Sequence, residues 1–494
     1  MAGPGRPTEG GEYSIRRIST GSAELDALLS GGFPEQSLIL VTGNPGTGKT
    51  IFTAGFLYEG AARKGEKGVY VSFSEGRQSF IEEMKTLGLD FEREEREGRF
   101  KFIEMLSLTR EATGRFTGEL LETIRTFGAK RLVIDSYSSM AQAIGSEYEG
   151  RQVLHTVLGR IVRNMGCTTL VIGEQPTGEE RIGEAGEEFV ADGVLNLKLM
   201  IPRELEIRKM RGTRLTTREA IYTIDGGFRV LRTELQKPAR PKKWVPIPDK
   251  DYLVSTGSAD LDAIIGGGFP RGSYVVLECS LDVTLLEMRL LTRGLALNFL
   301  NQRRGVIMVP TGGVDTGEVR RSYLPYTTKE LFDGYMRISE EQEQDRAKGG
   351  SHPPYVIPSI YAEGSGGEQE LEESSATFYE AYTALKQKTK NQPVLRSIGY
   401  DMLESSYARF PERLFNEIGI EIARTKAAGN ITIGLARPTL TLLDRVLGMV
   451  DWHIRLTKKN GLLMVQGVKP QTNVYGVECD ISHGYPVMKL RVLD

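Results

Sequence analysis

Three glycines, an ammonium and a hydroxyl fall within eight residues, Gly43, Asn44, Pro45, Gly46, Thr47, Gly48, Lys49 and Thr50. Glycines at this density let a backbone wrap tightly around an anion with its N–H groups turned inward. Lys49 suits the β and γ phosphates of a nucleotide, and Thr50 offers its hydroxyl oxygen to Mg²⁺. The apolar run Ser37 to Val41 precedes the motif, and helical spacing follows from Ile51, so the helix N-terminus faces the phosphates. The expected ligands are ATP and Mg²⁺, held from Gly43 through Ile51.

Two carboxylates complete the chemistry. Asp135 closes the apolar run Leu132 to Ile134, where a parallel sheet gathers its ligand contacts, and supplies an anion for the Mg²⁺ shell beside Thr50. A helix cap is the plainer role for such an aspartate. Hydrolysis also needs a group that orients and deprotonates water. Glu75, after the run Gly68 to Phe73, is the candidate base, although a charge at a strand end is often only solvated.

These residues need a scaffold, and the chain announces it by repetition. Ile18 to Gly43 (ISTGSAELDALLSGGFPEQSLILVTG) is echoed without a gap by Val254 to Cys279 (VSTGSADLDAIIGGGFPRGSYVVLEC). Short Val/Ile/Leu runs alternate with helical spacing in each half. The expected fold class is therefore α/β, two tandem P-loop NTPase domains, each a mostly parallel sheet flanked by helices with antiparallel strands appended. The boundaries are 13–235 for the first domain, 236–251 for a Pro- and Lys-rich linker, and 252–494 for the second. Charge, glycine and proline mark an insertion near 339–367, expected at the surface.

The second half lacks the chemistry of the first. Lys49 pairs with Leu285 and Thr50 with Leu286, and the loop Cys279 to Leu286 contains no glycine. Asp282 and Glu278 would repel a polyanion. Ser74 and Glu75 pair with Thr311 and Gly312, and only Asp401 persists. A structural or partner-binding domain is expected there.

The array STGSAELDALLSGGFPEQS, GNPGTGKT, YVSFSE, LVIDS, GEEFVADGV and EIRKMRGT resembles the KaiC branch of the RecA/RadA superfamily, the clock-protein-like ATPases. The resemblance covers nearly all of the first half. It implies a RecA-like fold, an ATPase, and a hexameric ring with ATP held between neighbouring subunits. It further implies that Lys209 and Arg211 reach the γ-phosphate of the adjacent subunit. Residues two apart on a strand share a face, so both cations can address one anion. A solvated basic edge strand would look the same. Relatives commonly carry two glutamates where this chain has Ser74 and Glu75, which favours slow turnover.

Composition narrows the partners. The chain has 494 residues, 26% of them charged, and a net charge of −2, so no chain-wide positive field draws it to nucleic acid. The loops after Asp135 and Glu174 read acidic, against a DNA recombinase. The stretch Arg203 to Arg218 keeps nucleic acid open as an alternative. Another alternative is an ATP-dependent transcriptional regulator resembling the gas-vesicle regulator D family. The three cysteines are scattered and the four histidines form no zinc pattern. No run approaches the ~18 apolar residues of a membrane span. A cytoplasmic ring with a regulatory protein partner is the expectation.

Overall fold

The computed structural model describes residues 15–105, 113–139, 165–174, 191–312, 314–341, 352–359 and 368–493. The acidic loops read against DNA binding (145–152 and 175–188), most of the helix expected over 150–166, and positions 342–351 and 360–367 of the insertion lie outside them. The chain divides into two compact units, unit 1 up to Leu231 and unit 2 over Arg232–Val492.

Unit 1 is built on a nine-stranded sheet. Its strands are β1 (Leu38–Gly43), β2 (Gly68–Ser72), β3 (Phe100–Glu104), β4 (Arg131–Asp135), β5 (Thr168–Glu174), β6 (Gly193–Lys198), β7 (Glu204–Met210), β8 (Glu219–Thr223) and β9 (Arg229–Val230). The spatial order is β9-β8-β7-β6-β1-β5-β4-β2-β3. The strands from β6 to β3 run parallel, whereas β7, β8 and β9 are antiparallel additions. All of β1 is buried because both faces of the sheet are covered. Ile39 and Val41 join Phe52, Phe56, Tyr70 and Val133 in one apolar cluster, while Leu38 and Leu40 join Val69, Val71 and Leu132 in another. The two-residue alternation of a strand thus feeds two cores at once. The helix expected after the phosphate loop runs Lys49–Tyr58 and continues as a π-helical stretch, Glu59–Lys64.

Unit 2 repeats the plan with ten strands: β10 (Tyr274–Cys279), β11 (Val306–Val309), β12 (Met336–Glu341), β13 (Val356–Ser359), β14 (Leu395–Gly399), β15 (Ile431–Ala436), β16 (Trp452–Lys459), β17 (Leu462–Lys469), β18 (Val474–Asp480) and β19 (Val487–Val492). Their order is β13-β12-β11-β14-β15-β10-β16-β17-β18-β19. The segment read as a surface insertion contributes part of β12 and all of the parallel edge strand β13. Pro358 is tolerated in β13 because an edge strand has no second ladder to feed.

The stretch read as a linker also has a definite place. Trp244 is 4% exposed and stacks 4.5 Å from Tyr485, the Trp244 N–H donates to Tyr326 O at 2.8 Å, and the Ile247 N–H donates to Asn298 Oδ1 at 2.8 Å. Residues 236–250 form almost no regular structure yet are strapped along unit 2. Proline and lysine concealed one large apolar anchor, Trp244.

The repeated STGSAxLD motif explains itself locally. Asp26 accepts from Ser19 Oγ and the Thr20 N–H, both at 2.7 Å. Asp262 accepts from Ser255 Oγ at 2.5 Å and the Thr256 N–H at 2.8 Å. In both units the aspartate ties the turn that leads into the first helix, a structural duty that survives whatever happens to the ligand site.

Candidate functional site

The phosphate loop joins β1 to the helix Lys49–Tyr58. Gly43 has φ +151, and a Cβ there would stand 2.3 Å from Leu197 O; Gly48 has φ +86, and a Cβ would meet Ile224 Cγ2 at 2.8 Å. Gly48 is also the helix N-cap and, having no side chain, makes no cap hydrogen bond of its own. A helix N-terminus that opens on such a loop turns its first N–H groups toward an anion. Lys49 is 9% exposed, and its ammonium donates to Gly43 O at 2.7 Å and Asn44 O at 3.0 Å, so it already lies inside the loop. Thr50 Oγ1 donates to Asp135 Oδ2 at 3.0 Å. This donor set fits a nucleotide polyphosphate with Mg²⁺: a helix N-terminus with a glycine N-cap, a cation at the loop centre, and a hydroxyl–carboxylate pair beside it.

Asp135 is the last residue of β4, with its carboxyl pushed above the usual range by burial. Hydrogen bonds from Tyr70 and Thr50 and the charge of Lys49 oppose that rise. The Tyr70 hydroxyl donates to the same Oδ2 at 2.6 Å, and its own proton is held far more tightly than in a free phenol by burial and by Asp135.

Glu75 lies outside a strand. β2 ends at Ser72, two residues earlier than Ser74, because Ser72 Oγ accepts from the Glu75 N–H at 2.9 Å and starts a turn. Ser74 is exposed, while the half-buried Glu75 accepts from Ser79 Oγ at 2.6 Å.

Two residues outside the expected set grip the loop from the antiparallel strands. Tyr222 of β8 donates to Thr47 O at 2.7 Å, and Arg203, just before β7, donates to Gly46 O at 2.7 Å. Arg203 belongs to the basic stretch noticed in the sequence, but only the pairing of β7 with β6 brings it to the loop.

Lys209 and Arg211 sit toward the other end of β7. Lys209 is opposite Val194, which is opposite Leu40, three residues back along β1 from Gly43. A bulge precedes Lys209, and Arg211 lies beyond the strand, so simple alternation does not set their common face. Arg211 donates to Asp192 Oδ1 at 3.0 Å with its side chain 55% exposed.

In unit 2 the same loop is sealed from within. The helix Leu285–Asn301 starts where Lys49–Tyr58 starts in the repeat alignment, but Thr284 replaces Gly48 as N-cap and forms a reciprocal capping box with Glu287. The Thr284 and Glu287 N–H groups at this helix start are thereby met by the chain itself. Glu287 is held below its ordinary pKa: burial pushes it up, but Lys458 at 2.7 Å and the Thr284 donors outweigh that. A cation has also returned. Arg437 donates to Ser280 O at 2.6 Å and Val283 O at 2.9 Å, with Cys279 O at 3.5 Å; Cys279 and Ser280 are the equivalents of Gly43 and Asn44, whose carbonyls Lys49 bonds in unit 1.

The sequence reading left this loop without a cation. Arg437 directly follows Ala436, the last residue of β15, which pairs with Glu278 near the end of β10, and only that pairing brings its guanidinium to the loop. Glu278 is not a bare repulsive charge either, being bound by His453 at 2.7 Å and Arg455 at 2.9 Å. Asp401 does not hold Asp135's place: it lies two residues past the end of β14 and accepts from the Gly312 N–H at 2.9 Å. Arg437→Met should lower the stability of unit 2 by about 1–3 kcal/mol, because buried carbonyls lose a charged donor. Chemical unfolding would measure the loss, and nucleotide binding should not change.

The three cysteines are buried free thiols. Burial pushes Cys167 and Cys279 up to about 12, so neither is a nucleophile at neutral pH. Among the described residues there is no cluster of three metal-ligating side chains and no helix long and apolar enough to cross a membrane.

A parallel sheet with a Gly-rich strand-to-helix loop, an inward lysine and a hydroxyl–aspartate pair defines a P-loop nucleotide-binding fold of the RecA-like type. The comparisons agree and are narrower. The family described as "ATPase: KaiC" matches residues 18–234. A UPF0273 protein of Pyrococcus furiosus is 30% identical over 246 residues, 46% of this chain and 98% of that one. Protein GvpD2 of Halobacterium salinarum is 24% identical over 492 residues, 93% of this chain and 94% of its own length. The circadian clock protein KaiC3 of Synechocystis is 27% identical over 331 residues, 62% of this chain and 64% of that protein. The chain belongs to the KaiC-like ATPase family.

Proposed function

We propose that unit 1 binds ATP with Mg²⁺ and hydrolyses it slowly in a homo-oligomeric ring, and that unit 2 is a nucleotide-free platform for a regulatory protein partner. The supporting observation is the contrast between two versions of one loop. In unit 1 a glycine N-cap with no side chain stands beside the inward Lys49; in unit 2 Thr284 and Glu287 close a capping box over the helix start and Arg437 bonds the loop carbonyls.

Bound Mg²⁺ would neutralise the polyphosphate. Lys49 holds the β and γ phosphates, Thr50 and Asp135 hold the metal shell, and Glu75 orients a water and takes its proton. Lys209 and Arg211 serve the site of a neighbouring copy. Titration calorimetry should find one ATP·Mg²⁺ per chain, and two would overturn the reading of unit 2. Glu75→Gln should lower hydrolysis roughly 100-fold or more with little change in ATP affinity, as followed by phosphate release.

The match to GvpD2 spans both units and favours a two-unit regulator over an isolated ATPase. An ATP-dependent transcriptional regulator is the corresponding second reading, and a pull-down returning a transcription activator would support it. Direct nucleic-acid binding is less favoured. In the basic stretch Arg203 is spent on Gly46, Arg208 pairs with Glu206 and Arg211 with Asp192.

A further inference from the structure

We infer that Tyr70 is a positioning residue for Asp135, its buried hydroxyl fixing which carboxylate oxygen remains open to Mg²⁺. The inference rests on the proposed place of Asp135 in the metal shell.

Tyr70 is the middle residue of β2 and pairs with Val133 of β4, while Asp135 pairs with Ser72. Tyr70 and Asp135 are thus diagonal neighbours on adjacent parallel strands. The Tyr70 ring is 1% exposed and packs 4.5 Å from Phe80 and 5.5 Å from Phe102, the latter nearly coplanar at 8°. A phenylalanine would satisfy that stack equally well. What a phenylalanine could not do is donate to Asp135, and a buried hydroxyl is costly unless it has such a partner.

The hydrogen bonds of Asp135 converge. Tyr70 and Thr50 both donate to Oδ2, and no side chain among the described residues donates to Oδ1. One oxygen is therefore anchored and the other left clear. Of the two anchors, Thr50 sits in the phosphate loop and its oxygen is itself wanted by the metal. Tyr70 belongs to the sheet, is clamped by aromatic rings, and remains the constant donor whatever Thr50 does. Outer hydrogen bonds of this kind set the orientation of a metal-binding carboxylate.

The test is the Mg²⁺ dependence of nucleotide binding, measured with a fluorescent ATP analogue on the full chain. Tyr70→Phe should raise the half-saturating Mg²⁺ concentration roughly tenfold and leave binding in EDTA within about twofold of wild type. Phe102→Leu disturbs the aromatic stack but keeps the hydroxyl; it should lower the melting temperature without changing the Mg²⁺ requirement. A Tyr70→Phe protein with the wild-type Mg²⁺ requirement would overturn the inference, as would a Phe102→Leu protein showing the same shift. Wild-type binding that ignores Mg²⁺, or an Asp135→Asn variant that responds to it normally, would instead remove Asp135 from the metal shell and the inference with it.

Discussion

Lys49→Ala loses ATP affinity by roughly 30- to 3,000-fold, the factor that corresponds to about 2–5 kcal/mol for removing one partner of a buried charge pair. The large effect follows from where the ammonium sits. Lys49 is 9% exposed and its ammonium is bonded to Gly43 O and Asn44 O, and a charge so buried acts on an anion in the loop with little solvent screening. The matching change in unit 2, Leu285→Ala, leaves ATP affinity unchanged. Titration calorimetry on both variants decides the matter; retained binding in Lys49→Ala, or its loss in Leu285→Ala, would mean that the two units have been assigned the wrong way round. Because Lys49 also satisfies two loop carbonyls, an unfolding curve should accompany the titration, to separate a looser loop from a lost charge.

The unit 1 loop was legible because its chemistry is contiguous. Gly43 to Thr50 form one turn, and strand, loop and helix follow in order. Asp135 was legible for a related reason, since its apolar strand marks its own end. What escaped notice depends on pairings between segments far apart in the chain. Tyr70 reads as an apolar strand residue until β2 lies beside β4 and its hydroxyl meets Asp135. Arg203 reads as one of several surface cations until β7 folds back on β6 and brings it to Gly46. The ends of elements were misjudged where a side chain competed with the backbone: Ser72 Oγ takes the Glu75 N–H and stops β2 early.

Unit 2 carries the same lesson in reverse. Loss of Lys49 and Thr50 at positions 285 and 286 was plain, but a loop that merely lost its ligand groups would leave amides and carbonyls unpaired. The repair came from Thr284 and Glu287 within the loop's own helix and from Arg437, more than 150 residues away in sequence. Pairwise comparison of the repeats sees the deletion and not the repair. Chain-internal partners for the Thr284 and Glu287 N–H groups and for the Ser280 and Val283 carbonyls distinguish a settled scaffold from a damaged nucleotide site, which supports a platform role for unit 2.

Arg211→Ala lowers ATP hydrolysis by roughly 10³-fold while leaving ATP affinity nearly unchanged, as expected of a cation that acts on the developing charge from outside the binding loop. The register of β7 excludes an action on its own loop. Lys209 stands opposite Val194 and hence level with Leu40, about 10 Å along the sheet from Gly43 at ~3.3 Å per residue. The turn that carries Arg211 is firmly held. Arg17 donates to Gly212 O at 2.7 Å and Thr213 Oγ1 at 2.6 Å, and the Arg211 N–H donates to Asp192 O at 2.8 Å. The guanidinium meets Asp192 across an ion pair whose side chains are 55% and 29% exposed, and a partly exposed pair of this kind costs little to exchange for another anion. Mixing supplies the decisive measurement. Arg211→Ala chains keep Glu75, and Glu75→Gln chains keep Arg211, so each preparation alone should be inactive, while a mixed ring contains some complete sites. Recovery of phosphate release on mixing, with light scattering showing mixed oligomers, requires a site shared between copies. Failure to recover activity in demonstrably mixed rings would leave Arg211 with Asp192 as a structural pair and return the hydrolytic site to a single chain.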